Sequence, residues 1–134
     1  MIIEELGKEG EKQARLLLKK RGFYIGQSDW IGRKDNQWFR FEVKRKERFM
    51  PPPFEGHGLD VRQVEYAMQF QADTKIPTIL LIWELGTNKW FWRRIDFLEK
   101  GEKFTTRNNI KIYKLSNFLE VEYEVDTNLD EGNI

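Results

Sequence analysis

The stretch that decides the fold is a run in which apolar and charged side chains largely alternate, Trp38-Phe39-Arg40-Phe41-Glu42-Val43-Lys44-Arg45-Lys46. A period of two is typical of a β-strand, so we expect Phe39, Phe41 and Val43 on its buried face. Glu42 and Lys44 then share the other face, roughly 7 Å apart. At that spacing a carboxylate holds a divalent cation while the ammonium group faces the same phosphate, which is the chemistry of a metal-dependent nuclease.

The elements around this strand are predicted from apolar spacing and from start and stop signals. A helix is expected over about residues 4–21, ended by Gly22, and a second helix over about residues 60–74, with Asp60 as its N-cap. Strands are expected at residues 23–25, 29–31, 37–46, 78–83, 90–95 and 110–115, with turns at 32–36 and 86–89 and a short turn or helix near 96–100. This order predicts an α/β fold with a mixed central sheet flanked by helices.

The chain is predicted to be a single domain over residues 1–119 with an acidic tail. Three prolines at 51–53 and the Gly56-His57-Gly58 triplet predict an exposed loop over residues 47–58, with His57 in solvent. Residues 120–134 contain six acidic and no basic side chains, so residues 1–119 hold 23 basic and 16 acidic ones. A net charge of +7 on the body favours a polyanionic partner.

Composition limits the types of metal ligand that the chain can supply and the cellular compartment in which we expect it. With no cysteine and one histidine, only hard oxygen ligands are numerous enough to form a metal cluster. No apolar run reaches the ~20 residues of a membrane span, and the first residues lack a signal-peptide pattern. We therefore expect a soluble cytoplasmic protein without a membrane partner.

Five short motifs within residues 6–83 carry a family resemblance: Gly10-Glu11, Arg21-Gly22-Phe23, Ser28-Asp29-Trp30-Ile31, Phe41-Glu42-Val43-Lys44 and Ile76-Pro77-Thr78-Ile79-Leu80. In order and spacing they resemble the PD-(D/E)xK nuclease superfamily, and most closely its Holliday junction resolvases from archaea, bacteria and phages. The resemblance implies a restriction-endonuclease-like fold.

The resemblance also implies the catalytic set. It assigns catalytic roles to Glu11, Asp29, Glu42 and Lys44. The three carboxylates would hold Mg²⁺, for which Mn²⁺ would substitute, and Lys44 would orient the attacking water or neutralise developing charge. Asp35 is an alternative to Asp29, but its place in a Lys-Asp-Asn turn gives it a simpler structural role.

The function expected from the resemblance is cleavage of four-way DNA junctions in recombination, replication or repair. It further implies a homodimer, in the cytoplasm of a bacterial, archaeal or phage-infected host cell. Another repair or restriction-type nuclease, or a non-catalytic nucleic-acid-binding module, are the alternatives.

Candidate DNA-binding residues lie beside the predicted active strand. Arg45, Lys46 and Arg48 extend its basic end and are candidates for phosphate contacts, with a solvated charge run as the alternative. Gln63 with Tyr66 is similar to a Gln-x-x-x-Tyr helix of exonuclease-type relatives, although the tyrosine comes one residue early. Otherwise Gln63 is a capping-box partner of Asp60.

Overall fold

The structure, a computed structural model, describes residues 3–25 and 31–121, with side chains for residues 8–24 and 31–121. The elements are α1 (Ile3–Lys20), β1 (Tyr24–Ile25), β2 (Ile31–Lys34), β3 (Gln37–Lys46), β4 (Gly56–Asp60), α2 (Val61–Thr74), β5 (Thr78–Glu84), β6 (Trp90–Arg94), α3 (Ile95–Leu98), β7 (Lys103–Thr105), β8 (Ile110–Lys114), a 3₁₀ turn (Leu115–Asn117) and β9 (Leu119–Val121).

A six-stranded mixed sheet forms the centre, in the order β1-β2-β3-β5-β6-β9. β3 and β5 are parallel, and the other neighbouring pairs are antiparallel. A parallel pair needs a crossover connection, which here contains β4 and α2. A second, three-stranded sheet has the order β4-β8-β7. The predicted α/β fold with a mixed sheet and flanking helices is confirmed.

The two faces of the central sheet pack against different helices. On one face, Phe41 and Leu81 pack with Leu17 of α1, and Phe39 and Val43 border this cluster. On the other face, Leu80 and Ile82 of β5 pack with residues of β4, α2 and α3. The prediction that Phe39, Phe41 and Val43 share the buried face of β3 is confirmed. Glu42 and Lys44 therefore lie on the α2 face.

Helix α2 begins and ends as the sequence predicts. The Asp60 carboxylate accepts a hydrogen bond from the backbone N–H of Arg62 at 2.8 Å, which satisfies one of the free donors of the first turn. Leu59 and Val64 lie in the same apolar cluster on either side of this cap. The helix ends after Thr74, where Lys75 adopts a left-handed conformation with φ of 62°.

The exposed loop predicted over residues 47–58 is wrong at its C-terminal end. Residues 50–53 are exposed, but residues 56–58 are buried and begin β4. A Cβ atom on Gly56 would lie 2.1 Å from the Tyr113 carbonyl oxygen, and one on Gly58 would lie 2.6 Å from that of Lys111. These glycines permit close approach of β4 to β8 rather than flexibility. His57 is accordingly buried rather than solvated.

Other boundaries differ by a few residues. The turn predicted at 32–36 is restricted to Asp35 and Asn36, since β2 continues to Lys34. The first two residues of the predicted acidic tail, Glu120 and Val121, pair with β6 as part of β9, and residues 122–134 lie outside the described residues. Strand β7 was not predicted. The beginning of the strand expected at residues 29–31 lies outside the described residues.

No helix in the described part of the chain is both long enough and apolar enough to cross a membrane.

Candidate active site

The site is centred on β3, where Glu42 and Lys44 lie side by side on the α2 face. Both side chains are half-buried. The Glu42 carboxylate is hydrogen-bonded and ion-paired to the guanidinium of Arg40, two residues earlier on the same face. One carboxylate and two cations of the same strand are therefore aligned on one partly desolvated surface.

Lys46 extends this row towards the second sheet. Its Nζ donates a hydrogen bond to the Gly58 carbonyl oxygen at 3.1 Å. Burial and the neighbouring positive charge of Lys44 lower the pKa of Lys46, and the opposite effect of Asp60 does not compensate. Lys46 is thus directed into the gap between β3 and β4, near the beginning of α2.

Aromatic side chains of α2 cover the other end of the row. The Arg40 guanidinium lies over the ring of Tyr66 at 4.8 Å and that of Phe70 at 5.9 Å. Its Nη1 also donates to Thr78 Oγ1 at 3.5 Å. Helix α2 thus runs antiparallel to β3, with its first residues near Lys46 and its later ones near Arg40.

Gln63 lies between these two ends of α2. A helix rises about 1.5 Å and a strand about 3.3 Å per residue. Gln63 comes about one helical turn before Tyr66, and Tyr66 lies beside Arg40. Gln63 is therefore displaced from Arg40 by between one and two strand residues, in the direction of Lys46. This level is close to that of Glu42. The sequence-predicted residues that share this face of β3 are Glu42, Lys44 and Lys46, and Gln63 lies on α2, the helix that packs on the same side of the sheet.

Glu11 is exposed on α1, on the other side of the sheet. A Cβ atom on its neighbour Gly10 would be 3.4 Å from Arg45 Cβ, so this part of α1 packs against the end of β3. Arg45 points away from Lys44 because adjacent residues alternate across a strand. Among the described residues, no hydrogen bond or ion pair joins Glu11 to Glu42, and Asp29 lies outside those residues.

Arg45 and Arg48 occupy different surroundings from Glu42 and Lys44. The Arg45 guanidinium lies over the Trp83 ring at 4.1 Å on the α1 face. Arg48 Nε and Nη2 donate to the two carboxylate oxygens of Glu84, each at 2.9 Å. Arg45 therefore lies on the opposite face from Glu42 and Lys44, and the Arg48 guanidinium is bound to Glu84, which pairs with Lys46 at the end of the row.

A buried polar network beside the site was not predicted. His57 Nε2 lies 2.7 Å from Glu84 Oε2, and Thr87 Oγ1 donates to Glu84 Oε1 at 2.7 Å. Burial raises the pKa of Glu84, but hydrogen bonds from Arg48, Thr87 and His57 outweigh it and lower the value to about 2. The available signal was a glutamate that directly follows the apolar run of β5.

Burial favours the neutral form of the histidine in this network, because it lowers the pKa of His57 and outweighs the opposite effect of the Glu84 carboxylate. An ionised carboxylate only accepts hydrogen bonds, so the contact with Glu84 is satisfied by the tautomer in which Nε2–H donates a hydrogen bond to Oε2. The network connects β4, β5 and the Arg48 segment, and it lies on the same sheet face as Lys46, the residue paired with Glu84 in the β3–β5 register.

The described residues supply only part of the ligand set that a divalent cation requires. Glu42 offers hard carboxylate oxygens on a half-buried surface, as Mg²⁺ and Mn²⁺ require. Among the described residues, however, no group of three or more His, Cys, Asp or Glu side chains is arranged to hold a metal ion. Asp29, the second ligand expected from the sequence, lies outside the described residues.

Comparison with solved structures supports the fold. The chain superposes on Hjc, a Holliday junction resolvase from the archaeal hyperthermophile Archaeoglobus fulgidus, with a TM-score of 0.52 and 17% sequence identity. The match covers 79% of this chain and 87% of Hjc. The chain has a restriction-endonuclease-like fold. In this fold, the β3–α2–β5 unit forms the surface that carries Glu42 and Lys44. The resemblance predicted from the sequence motifs is confirmed.

Sequence comparison alone identifies no relative: no protein-family profile matches the chain, and no curated protein does.

Proposed function

We propose that this chain is a metal-dependent DNA endonuclease that cleaves four-way junctions. The observation that carries the proposal is the placement of Glu42 and Lys44 on one half-buried face of a central strand, in a fold shared with a protein described as a Holliday junction resolvase. The basic charge of residues 1–119 suits a DNA partner. We also propose that the protein acts in the cytoplasm.

Glu42 and Asp29 would hold Mg²⁺, with Glu11 as an additional ligand and Mn²⁺ as a substitute. When bound, the ion would polarise the phosphate and lower the pKa of a bound water. Lys44 would stabilise negative charge on the phosphate, a role suited to a compact ammonium group. Lys44 and Glu42 are already aligned on β3, so their relative position needs no rearrangement of the strand.

For DNA contacts we propose Gln63 and Lys46, since both lie beside the Glu42 face. Arg45 and Arg48 were candidates for the same role. Their contacts with Trp83 and Glu84 favour a structural role instead. Phosphate contacts by Arg45 would require its guanidinium to leave Trp83.

The test is a substrate comparison in Mg²⁺ with four-way junction, flap and linear duplex DNA. We expect cleavage of the junction and much slower cleavage of the other two. Preferential cleavage of flaps or duplex would favour another nuclease function of this fold. Binding of junction DNA without cleavage in Mg²⁺ or Mn²⁺ would favour a non-catalytic binding module.

We further propose a homodimer, because symmetric cleavage of a junction needs two active sites. A groove of about 520 Å³ lies on the α1 face of the central sheet. Its floor is apolar and includes side chains from α1, β3, β5 and β6: Leu17, Phe39, Phe41, Leu81 and Trp92. Exposed apolar surface with a polar rim is typical of interaction sites.

The rim of the groove suits a second copy of the same chain. It carries basic side chains, Lys34 and Arg94, and acidic ones, Asp35 and Glu120. In a two-fold symmetric interface the same patch of both subunits is in contact with itself. Basic groups on the rim of one subunit can then pair with acidic groups on the rim of the other. The groove lies on the opposite face of the sheet from Glu42, so a partner bound there leaves the α2 face open to DNA.

A further inference from the structure

We propose that Arg40 is a positioning residue that competes with the divalent cation for the Glu42 carboxylate. This inference rests on the proposed nuclease function, because it concerns the same metal ligand. In this view Arg40 neutralises Glu42 before the cation binds and raises the cation concentration that the site needs.

Arg40 and Glu42 form an ion pair on a partly buried surface. Arg40 is the ion-pair partner of Glu42 in the described part of the chain. The two side chains are only 17% and 15% exposed, so water screens their attraction poorly. A carboxylate oxygen that accepts a charge-assisted hydrogen bond is not free to bind a cation, and a cation beside the guanidinium is also repelled.

Arg40 also has a second set of contacts, with aromatic side chains of α2. Tyr66 and Phe70 of α2 present their rings to its guanidinium, and the two rings are stacked on each other with centroids 6.3 Å apart. These contacts do not involve Glu42. When Glu42 turns to a cation, Arg40 therefore keeps favourable contacts with the aromatic rings and remains close to the site.

A matched control lies on the same face of the sheet. Arg93 of β6 is held over the Phe97 ring at 4.3 Å, which is also a cation–aromatic contact. No ion pair of Arg93 is found among the described residues. Arg93→Gln therefore removes a stacked arginine from the same surface without changing the partner of Glu42.

The test is a titration of the DNA-free protein with Mn²⁺, in which electron paramagnetic resonance measures the concentration of free Mn²⁺. We expect Arg40→Gln to bind Mn²⁺ at least about tenfold more tightly than the wild type, because one charge-assisted hydrogen bond no longer competes. Arg93→Gln should bind as the wild type does. Arg40→Lys, which keeps the charge but not the planar group, should have an intermediate affinity.

The outcomes separate this inference from the proposed function. Unchanged Mn²⁺ affinity in both Arg40 variants would overturn the role of Arg40, even if Glu42→Gln abolished binding as the proposed function requires. Unchanged binding in Glu42→Gln would contradict the proposed metal site itself. If Arg40→Gln fails to fold, as thermal unfolding would show, Arg40→Lys decides the question.

Discussion

At the scale of single residues, the proposed reaction gives Glu42 and Lys44 different tasks, although they are only two positions apart on β3. A carboxylate binds the cation directly, whereas an ammonium group acts on the phosphate. Their roles in the proposed reaction depend on the alternation of the strand, which directs both to the α2 face. A shift of one residue in the register of β3 would direct both towards α1.

Glu42→Gln should reduce Mg²⁺-dependent junction cleavage at least about 100-fold, because an amide is a much poorer ligand for a hard cation. The measurement is the single-turnover cleavage rate at saturating protein. Glu65→Gln, which changes an exposed carboxylate on α2, is the control and should cleave normally. Equal rates for Glu42→Gln and the wild type would contradict the assignment.

The assignment of Glu42 and Lys44 to one face could be made from sequence, because a period of two leaves little freedom in a strand. The environment of Arg45, Arg48 and His57 could not. Each of these side chains is placed by a residue distant in sequence: Trp83 for Arg45, and Glu84 for Arg48 and His57. A basic run has the same local pattern whether it contacts solvent, DNA or a buried carboxylate.

At the scale of elements, the network around Glu84 makes the attachment of β4 to the central sheet dependent on pH. The folded pKa values of both His57 and Glu84 are lower than their ordinary values of 6.5 and 4.5. The unfolded chain therefore binds more protons than the folded one, and the stabilisation is lost as pH falls. For His57 the loss begins below about pH 6.5, and for Glu84 it continues from about pH 4.5 towards 2.

His57→Gln keeps a donor for Glu84 but does not titrate. We expect the wild type to lose unfolding free energy between pH 7.5 and pH 5, and the variant to lose less over the same interval. Urea unfolding at both pH values measures this difference. An equal loss in the two proteins would contradict a lowered pKa of His57 in the folded state.

The close packing of β4 against β8 gives a second prediction for the elements. Gly58→Ala should reduce the free energy of unfolding by about 1–3 kcal/mol, the usual cost of overpacking. The added Cβ would lie 2.6 Å from both Ile112 Cδ1 and the Lys111 carbonyl oxygen. Met50→Ala, at an exposed position, is the control and should change stability by less than about 0.5 kcal/mol.

A tolerated Gly58→Ala substitution would mean that the two strands separate without cost.

The beginning of α2 was predictable because the Asp60 cap is a local signal, whereas β4 was not. The two glycines of β4 have no side chains to show alternation, and its partner β8 follows some 50 residues later in the chain.

At the scale of the whole molecule, the central sheet separates the proposed dimer surface from the proposed DNA surface. Leu119→Glu should dissociate the dimer, because Leu119 is 43% exposed and faces Trp92 across the β6–β9 pair. Sedimentation velocity measures the change, with Met50→Glu as a control on the exposed 50–53 segment. A monomeric wild type, or a dimeric Leu119→Glu variant, would contradict the proposed interface.

The overall architecture was largely predictable because its helices and central strands have strong local patterns. The second sheet was missed because β4 was predicted as part of a loop and β7 has only three residues; β9, which adds an edge to the central sheet, is equally short. Short strands provide too few positions for a period of two to be recognised. Coordination of one cation by Glu11, Asp29 and Glu42 was predicted from motifs alone and stays a prediction.

The most direct test of this shared metal site is anomalous diffraction from a crystal of the protein soaked in Mn²⁺. Our account predicts an anomalous peak coordinated by the carboxylates of both Asp29 and Glu42, with Lys44 beside it. The absence of a peak at Glu42, or carboxylates of Asp29 and Glu42 too far apart to share one ion, would contradict it.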